Sequence, residues 1–170
     1  MNEYYLKQLL NSNSKLNDKI TEFIKEKIIV KQDVDINEIK GHIEKSEHNL
    51  NFIKDTLKQG YSDWAITGCY YAMYQAVLAL ILKKGYSSKN HDATLCILIK
   101  EYYKKGIEQE DVELMNKFFV DYQNLLFYIQ AKNKREDATY SSNYKYDYKT
   151  VENLRIKAIL FVNKAKEILK

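Results

Sequence analysis

Residues 64–82 read WAITGCYYAMYQAVLALIL, nineteen positions from Trp64 to Leu82 without a charged side chain, in a chain whose residues are 29 % charged. As a helix rising roughly 1.5 Å per residue, such a run approaches the thickness of a bilayer's hydrocarbon core, so a membrane span is the first reading to test. Against it stand Thr67, Gln75 and the hydroxyls of Tyr70, Tyr71 and Tyr74, spread along the run instead of gathered at its two ends. Ala65, Gly68, Ala72, Ala76 and Ala79 recur at steps of three and four, a stripe of small residues along which a second helix can approach closely. The run therefore predicts the central helix of a bundle, enclosed on nearly every side, with Trp64, Tyr71, Met73, Leu78 and Ile81 largely buried.

The rest of the chain suits that reading. Its 170 residues fit one domain with a sizeable core, and with no proline and only five glycines nothing interrupts long helices. Before the central run, Leu16, Ile20, Phe23, Ile24 and Ile28 mark one face of a helix from about Ser14 to Ile29. Asp35-Ile36-Asn37-Glu38 then forms a capping box that opens a helix through Ile39, Ile43, Leu50, Ile53 and Leu57 to Gly60. After the run, Lys83, Lys84 and Gly85 are helix-stop signals, and Tyr86 to Asn90 reads as a loop. A shorter helix from His91 to about Lys104 ends at Gly106, and a long amphipathic one from the acidic cluster Glu108, Glu110 and Asp111 runs to about Lys134. Residues 136–149 are polar, Tyr-rich and without clear period; the last helix resumes at Thr150 with Leu154, Ala158, Phe161 and Ile168 inward. No strand is expected. The division is a helical extension over residues 1–34 and an all-α bundle of four to five long helices over 35–170.

Charge and cysteine usage narrow the classes of function. Residues 132–170 hold ten Lys or Arg against five Asp or Glu, so attraction to phosphate is expected from the C-terminal part of this +4 chain. Cys69 and Cys96 lie in apolar helical runs, where a free thiol behaves as a small buried hydrophobe. His42 and His48 are six apart on one helix and face different ways, so no metal site is expected. The opening MNEYYLKQLL is amphipathic and lacks the features of a secretory signal, which points to the cytoplasm.

The amphipathic helix ending at Asp63-Trp64, then AITGCYYAMYQAVLALILKKGYSSKNHDAT, then a later helix closing in KREDATY, resembles the HEPN superfamily, in particular its small stand-alone members. The resemblance covers roughly residues 36–168 and implies an up-and-down helical bundle, often a homodimer that brings two copies of one motif together. It also implies a metal- and cofactor-independent endoribonuclease carrying an Arg followed four to six residues later by His. Such a His exchanges a proton with the ribose 2′-hydroxyl or the leaving oxygen, while Arg stabilises charge on phosphate. Arg135 is present here, but the positions reached after four to six intervening residues hold Tyr140, Ser141 and Ser142. A phenol with a pKa of about 10 is a poor base near neutrality.

Arg135 and Tyr140 are therefore the candidate catalytic pair, with Lys132, Lys134, Tyr144, Lys145 and Tyr146 as candidate RNA contacts. His91 and Asp137 complete the candidates as an additional polar site. A competing reading of equal weight has the tyrosines anchoring their segment on the bundle and Arg135 paired with Asp137 or another acid. Three functions stay open: an RNA-directed protein, binding or cleaving weakly; a toxin-type or regulatory subunit partnered with a minimal nucleotidyltransferase that transfers AMP to Tyr140, as the resemblance implies; and a non-catalytic dimeric module.

Overall fold

The computed structural model describes residues 1–133 and 147–170. Its helices are α1 (Glu3–Asn11), α2 (Asn13–Lys25), α3 (Ile36–Lys58), α4 (Ser62–Lys83), α5 (His91–Tyr102), α6 (Gln109–Asn133) and α7 (Tyr148–Leu169), and β1 (Ile29–Lys31) pairs with β2 (Tyr86–Ser88). The fold is all-α, with α3, α4, α6 and α7 as the four long helices and α1 and α2 as the N-terminal segment.

Helix α4 is the axis. Met73, Val77, Leu80 and Ile81 are wholly buried, and 72 % of the apolar window within Trp64–Lys83 lies inside the protein. Its stripe of small residues faces α3. The Ser46 hydroxyl donates to the Ala72 carbonyl at 2.7 Å, Ala79 packs with Ile39, and a Cβ placed on Gly68 would meet Ile53 Cγ1 at 2.6 Å. His42 Nδ1 lies 2.7 Å from Gln75 Oε1, so the polar residue that argued against a lipid-facing helix is satisfied by α3. At the other end, Lys83 donates to the carbonyls of Ile168 and Leu169, closing the last turn of α7.

The close approach at Gly68 yields a stability prediction. Alanine gains about 1 kcal/mol over glycine in helix propensity, yet its methyl must displace the buried Ile53, and overpacking costs about 1–3 kcal/mol. Gly68→Ala is expected to lower the urea midpoint by a net loss on the order of 1 kcal/mol. A raised midpoint would show that α3 and α4 part freely.

Local signals work at most helix ends. Asp35 accepts from the backbone N–H groups of Asn37 and Glu38, while the Glu38 carboxylate, instead of completing the box, accepts from the Gln32 amide. Gly60 stops α3 with φ +83°, a left-handed conformation open to glycine. Asn90 caps α5 through the N–H of Ala93, and Asp147 caps α7 through that of Thr150.

Three expectations need correction. The helix placed over Ser14 to Ile29 ends at Lys25, and a strand exists where none was expected: Ile29, Val30 and Lys31 pair antiparallel with Ser88, Ser87 and Tyr86. Ile28-Ile29-Val30 continues the apolar face of the preceding helix on paper, but these β-branched residues favour a pleated backbone once Tyr86–Ser88 offers an edge. Trp64 is 50 % exposed. It stands in the first turn of α4, where the neighbouring Ala65 and Ile66 take the inward positions. Tyr71 and Leu78 are half-buried, against Met73 and Ile81 at the centre.

Residues 1–34 share the core of the bundle. Leu6, Leu9, Leu16, Ile20 and Ile29 are buried in one cluster with residues of α4 to α7. This segment covers α5, in which Leu95, Cys96, Ile97 and Leu98 are left at 1 % exposure or less.

Candidate functional site

The site expected from the sequence straddles the end of α6 and the start of α7. Lys132 belongs to the last turn of α6, and Lys134, Arg135, Asp137, Tyr140, Tyr144, Lys145 and Tyr146 lie outside the described residues. The contacts that seat the first half of α6 are described. Phe118 is wholly buried, and Phe119 and Tyr122 enter an aromatic cluster with Tyr70, Tyr71 and Tyr74 of α4 and His91 of α5. Tyr70 stacks on Tyr122 with ring centroids 4.8 Å apart, and the Tyr71 and Tyr122 hydroxyls share a 2.7 Å hydrogen bond. Lys132 lies ten residues beyond Tyr122, about 15 Å along the helix.

His91 is the one expected site residue whose side chain is described. Its ring is buried at 6 % exposure and stacks flat on Phe119, centroids 3.8 Å apart and planes 6° from parallel. Neither ring nitrogen has a hydrogen-bond partner among the described residues. Close by, Asn116 donates to the Met1 carbonyl at 3.0 Å and leaves its own Oδ1 unpartnered. Burial pushes His91 down to about 4, with the Asp92 carboxylate pulling it up and the Met1 ammonium adding to the lowering. The ring is therefore neutral at pH 7.

The phenols around it shift the other way. Burial raises Tyr70 and Tyr74, and burial with the bond to Tyr71 takes Tyr122 to about 12. Tyr70, Tyr74, Tyr122 and His91 are thus neutral near pH 7, and the cluster acts as a packed platform that seats α6 rather than as a proton relay. Proton transfer and charge neutralisation would fall to residues beyond it.

One charged pair on α7 was not singled out from the sequence. Arg155 binds Glu152 through two bonds, Nε to Oε2 at 2.8 Å and Nη2 to Oε1 at 2.5 Å, which holds the Glu152 carboxyl below its usual range. Its spacing of three residues was the available signal. With its fork taken by Glu152, Arg155 is not offered to a ligand as a free guanidinium. Cys69 and Cys96 are both buried thiols, pushed up to about 12 by burial, and so unreactive.

Set against known proteins, the chain matches the HEPN domain family model over residues 39–169, from the first turns of α3 to the end of α7. It is 31 % identical over 132 residues to the Methanocaldococcus jannaschii protein named "Putative toxin MJ0142", covering 78 % of this chain and 82 % of that one.

Proposed function

Because this chain belongs to the HEPN domain family, we propose that it is a toxin-type protein directed at RNA, with residues 132–146 as its working segment and a separate protein as its restraint. The observation that carries this reading is the identity to a protein named as a toxin, sustained over 78 % of this chain and 82 % of the other. In this reading Arg135 meets an RNA phosphate, Lys132, Lys134 and Lys145 add charge, and Tyr144 and Tyr146 stack on bases. The RNA supplies its own nucleophile, the 2′-hydroxyl, so neither metal nor cofactor enters the step. Tyr140 donates a hydrogen bond where a histidine would take a proton, which makes cleavage slow and leaves binding as the larger effect. Two copies of the chain bring two such segments together in the cytoplasm.

The restraint that fits Tyr140 is a minimal nucleotidyltransferase. A phenol four residues past the Arg135-Glu136 pair is a nucleophile for AMP transfer: on losing its proton to a base of the transferase, its oxygen bonds to the α-phosphorus of ATP as the bond to pyrophosphate breaks, and the phosphodiester so added would place negative charge where RNA phosphate must bind. The chain produced alone in a bacterial host is expected to slow growth, and Arg135→Ala to relieve it. Purified protein should bind single-stranded RNA and cut it slowly in excess chelator, with both effects weakened by the same substitution. Absence of RNA binding by the purified protein, or indifference of growth inhibition and binding to Arg135→Ala, would overturn this reading.

A further inference from the structure

Basic and aromatic residues also meet far from segment 132–146, where the β1–β2 pair adjoins the C-terminal end of α5. Lys31 of β1 and Lys100 of α5 each hold an ammonium group over the Tyr86 ring, 5.9 and 5.8 Å from its centroid. Lys84 lies 5.5 Å over the Tyr102 ring, and Lys104 lies 5.3 Å over Tyr103. Lys100, Tyr103 and Lys104 line a cleft of about 450 Å³ against α1 and α2, with Lys105 beside them. The five lysines are exposed, and none has a carboxylate within 4 Å among the described residues.

Such an arrangement does little for the fold. An exposed ammonium over a ring adds little to stability, while gathering like charges raises self-repulsion. Over residues 83–105 there are six lysines against Asp92 and Glu101. The field invites a polyanion, and the half-buried rings of Tyr86 and Tyr103 offer π-faces beside it. A lipid surface would ask instead for protruding apolar side chains next to the charges. Val30, the exposed aliphatic residue of β1, alternates to the face opposite Lys31.

We propose that this surface is a second RNA-binding site, in which Lys31, Lys84, Lys100 and Lys104 contact phosphates of a single strand and Tyr86 and Tyr103 bear on its bases. The proposal rests on the RNA-directed reading above and extends it to a region outside the C-terminal segment. A guest strand draws the lysines from their rings to its phosphates, exposing the faces on which bases stack.

The test is fluorescence anisotropy of a labelled 20-nucleotide single-stranded RNA of mixed sequence with the full chain across 50–300 mM KCl. The triple variant K31Q/K100Q/K104Q is expected to bind at least tenfold more weakly at 100 mM. Its log–log salt slope should shrink by about 2, because each single-strand phosphate contact contributes about 0.7. The charge-matched triple K40Q/K45Q/K54Q on α3 should leave the slope unchanged, and K31R/K100R/K104R should keep binding. If the glutamine triple binds like the parent while K132Q/K134Q/R135Q loses binding, this site is overturned and the RNA reading stands. No RNA binding by the parent overturns both. Tighter binding of the parent to vesicles of 30 % phosphatidylserine than to RNA, lost in the glutamine triple, would assign the patch to a membrane and overturn the proposal.

Discussion

Replacing Tyr140 with histidine is expected to speed metal-independent RNA cleavage by roughly 10²- to 10⁴-fold, the usual contribution of a positioned general acid–base. At pH 7 a phenol with its ordinary pKa of about 10 is deprotonated in only about one molecule in a thousand, whereas an imidazole near 6.5 is present in both forms. His91, the buried imidazole of the described residues, is locked under Phe119 with its proton affinity lowered and does not serve as a base in its place. Single-turnover cleavage of a 5′-labelled strand in excess chelator measures the gain. The rate should rise and fall around pH 6–7, and Arg135→Ala in the Tyr140→His background should return it to the parent level. A variant that binds RNA and gains no cleavage would separate Tyr140 from the reaction. Rapid cleavage by the unmodified protein, surviving loss of both Arg135 and Tyr140, would place the chemistry elsewhere.

Why the bundle was legible in the sequence and other features were not follows from the range over which each is decided. The charge-free run of α4, its small-residue stripe and the capping Asp35 are local signals, and each answers to a contact within its own helix or one neighbour. The β1–β2 pair depends on two three-residue segments far apart in the chain, each too short to carry a period, so Ile29 passed for a helix residue. Trp64 belongs to the charge-free run, although its place at the open start of α4 decides its exposure. For the candidate site, motif order alone singles out Arg135 and Tyr140, whereas the aromatic cluster that seats the first half of α6 requires Tyr70, His91, Phe119 and Tyr122 to converge from three helices. The basic patch was hidden by bookkeeping along the chain. Summed by segment, excess positive charge falls at residues 132–170, while Lys31 and Lys100 meet at Tyr86 only in the folded molecule.

The buried His91 gives the fold an acid sensitivity of about 3 kcal/mol between pH 7 and pH 4. Its folded value is about 4, against about 6.5 in the unfolded chain, so the unfolded state binds more protons throughout that interval. Stability from this group is therefore complete above pH 6.5, declines as pH falls, and reaches its full loss near pH 4. Carboxylates act in a different window. Glu152 and Asp147, held low by Arg155 and Thr150, keep their contribution until pH falls below the unfolded carboxylate range, and Asp121, raised by burial, runs in the opposite sense. Among the described residues, the decline between pH 6.5 and 4.5 is thus chiefly that of His91. His91→Leu should flatten it whatever its offset at pH 7, because the comparison is between slopes. Urea midpoints for parent and variant at pH 7, 6, 5 and 4.5 measure this directly. Equal midpoints for the parent across the series, or an unchanged slope in His91→Leu, would show that protonation of this ring is accommodated, with Asn116 Oδ1 as the acceptor placed to do so.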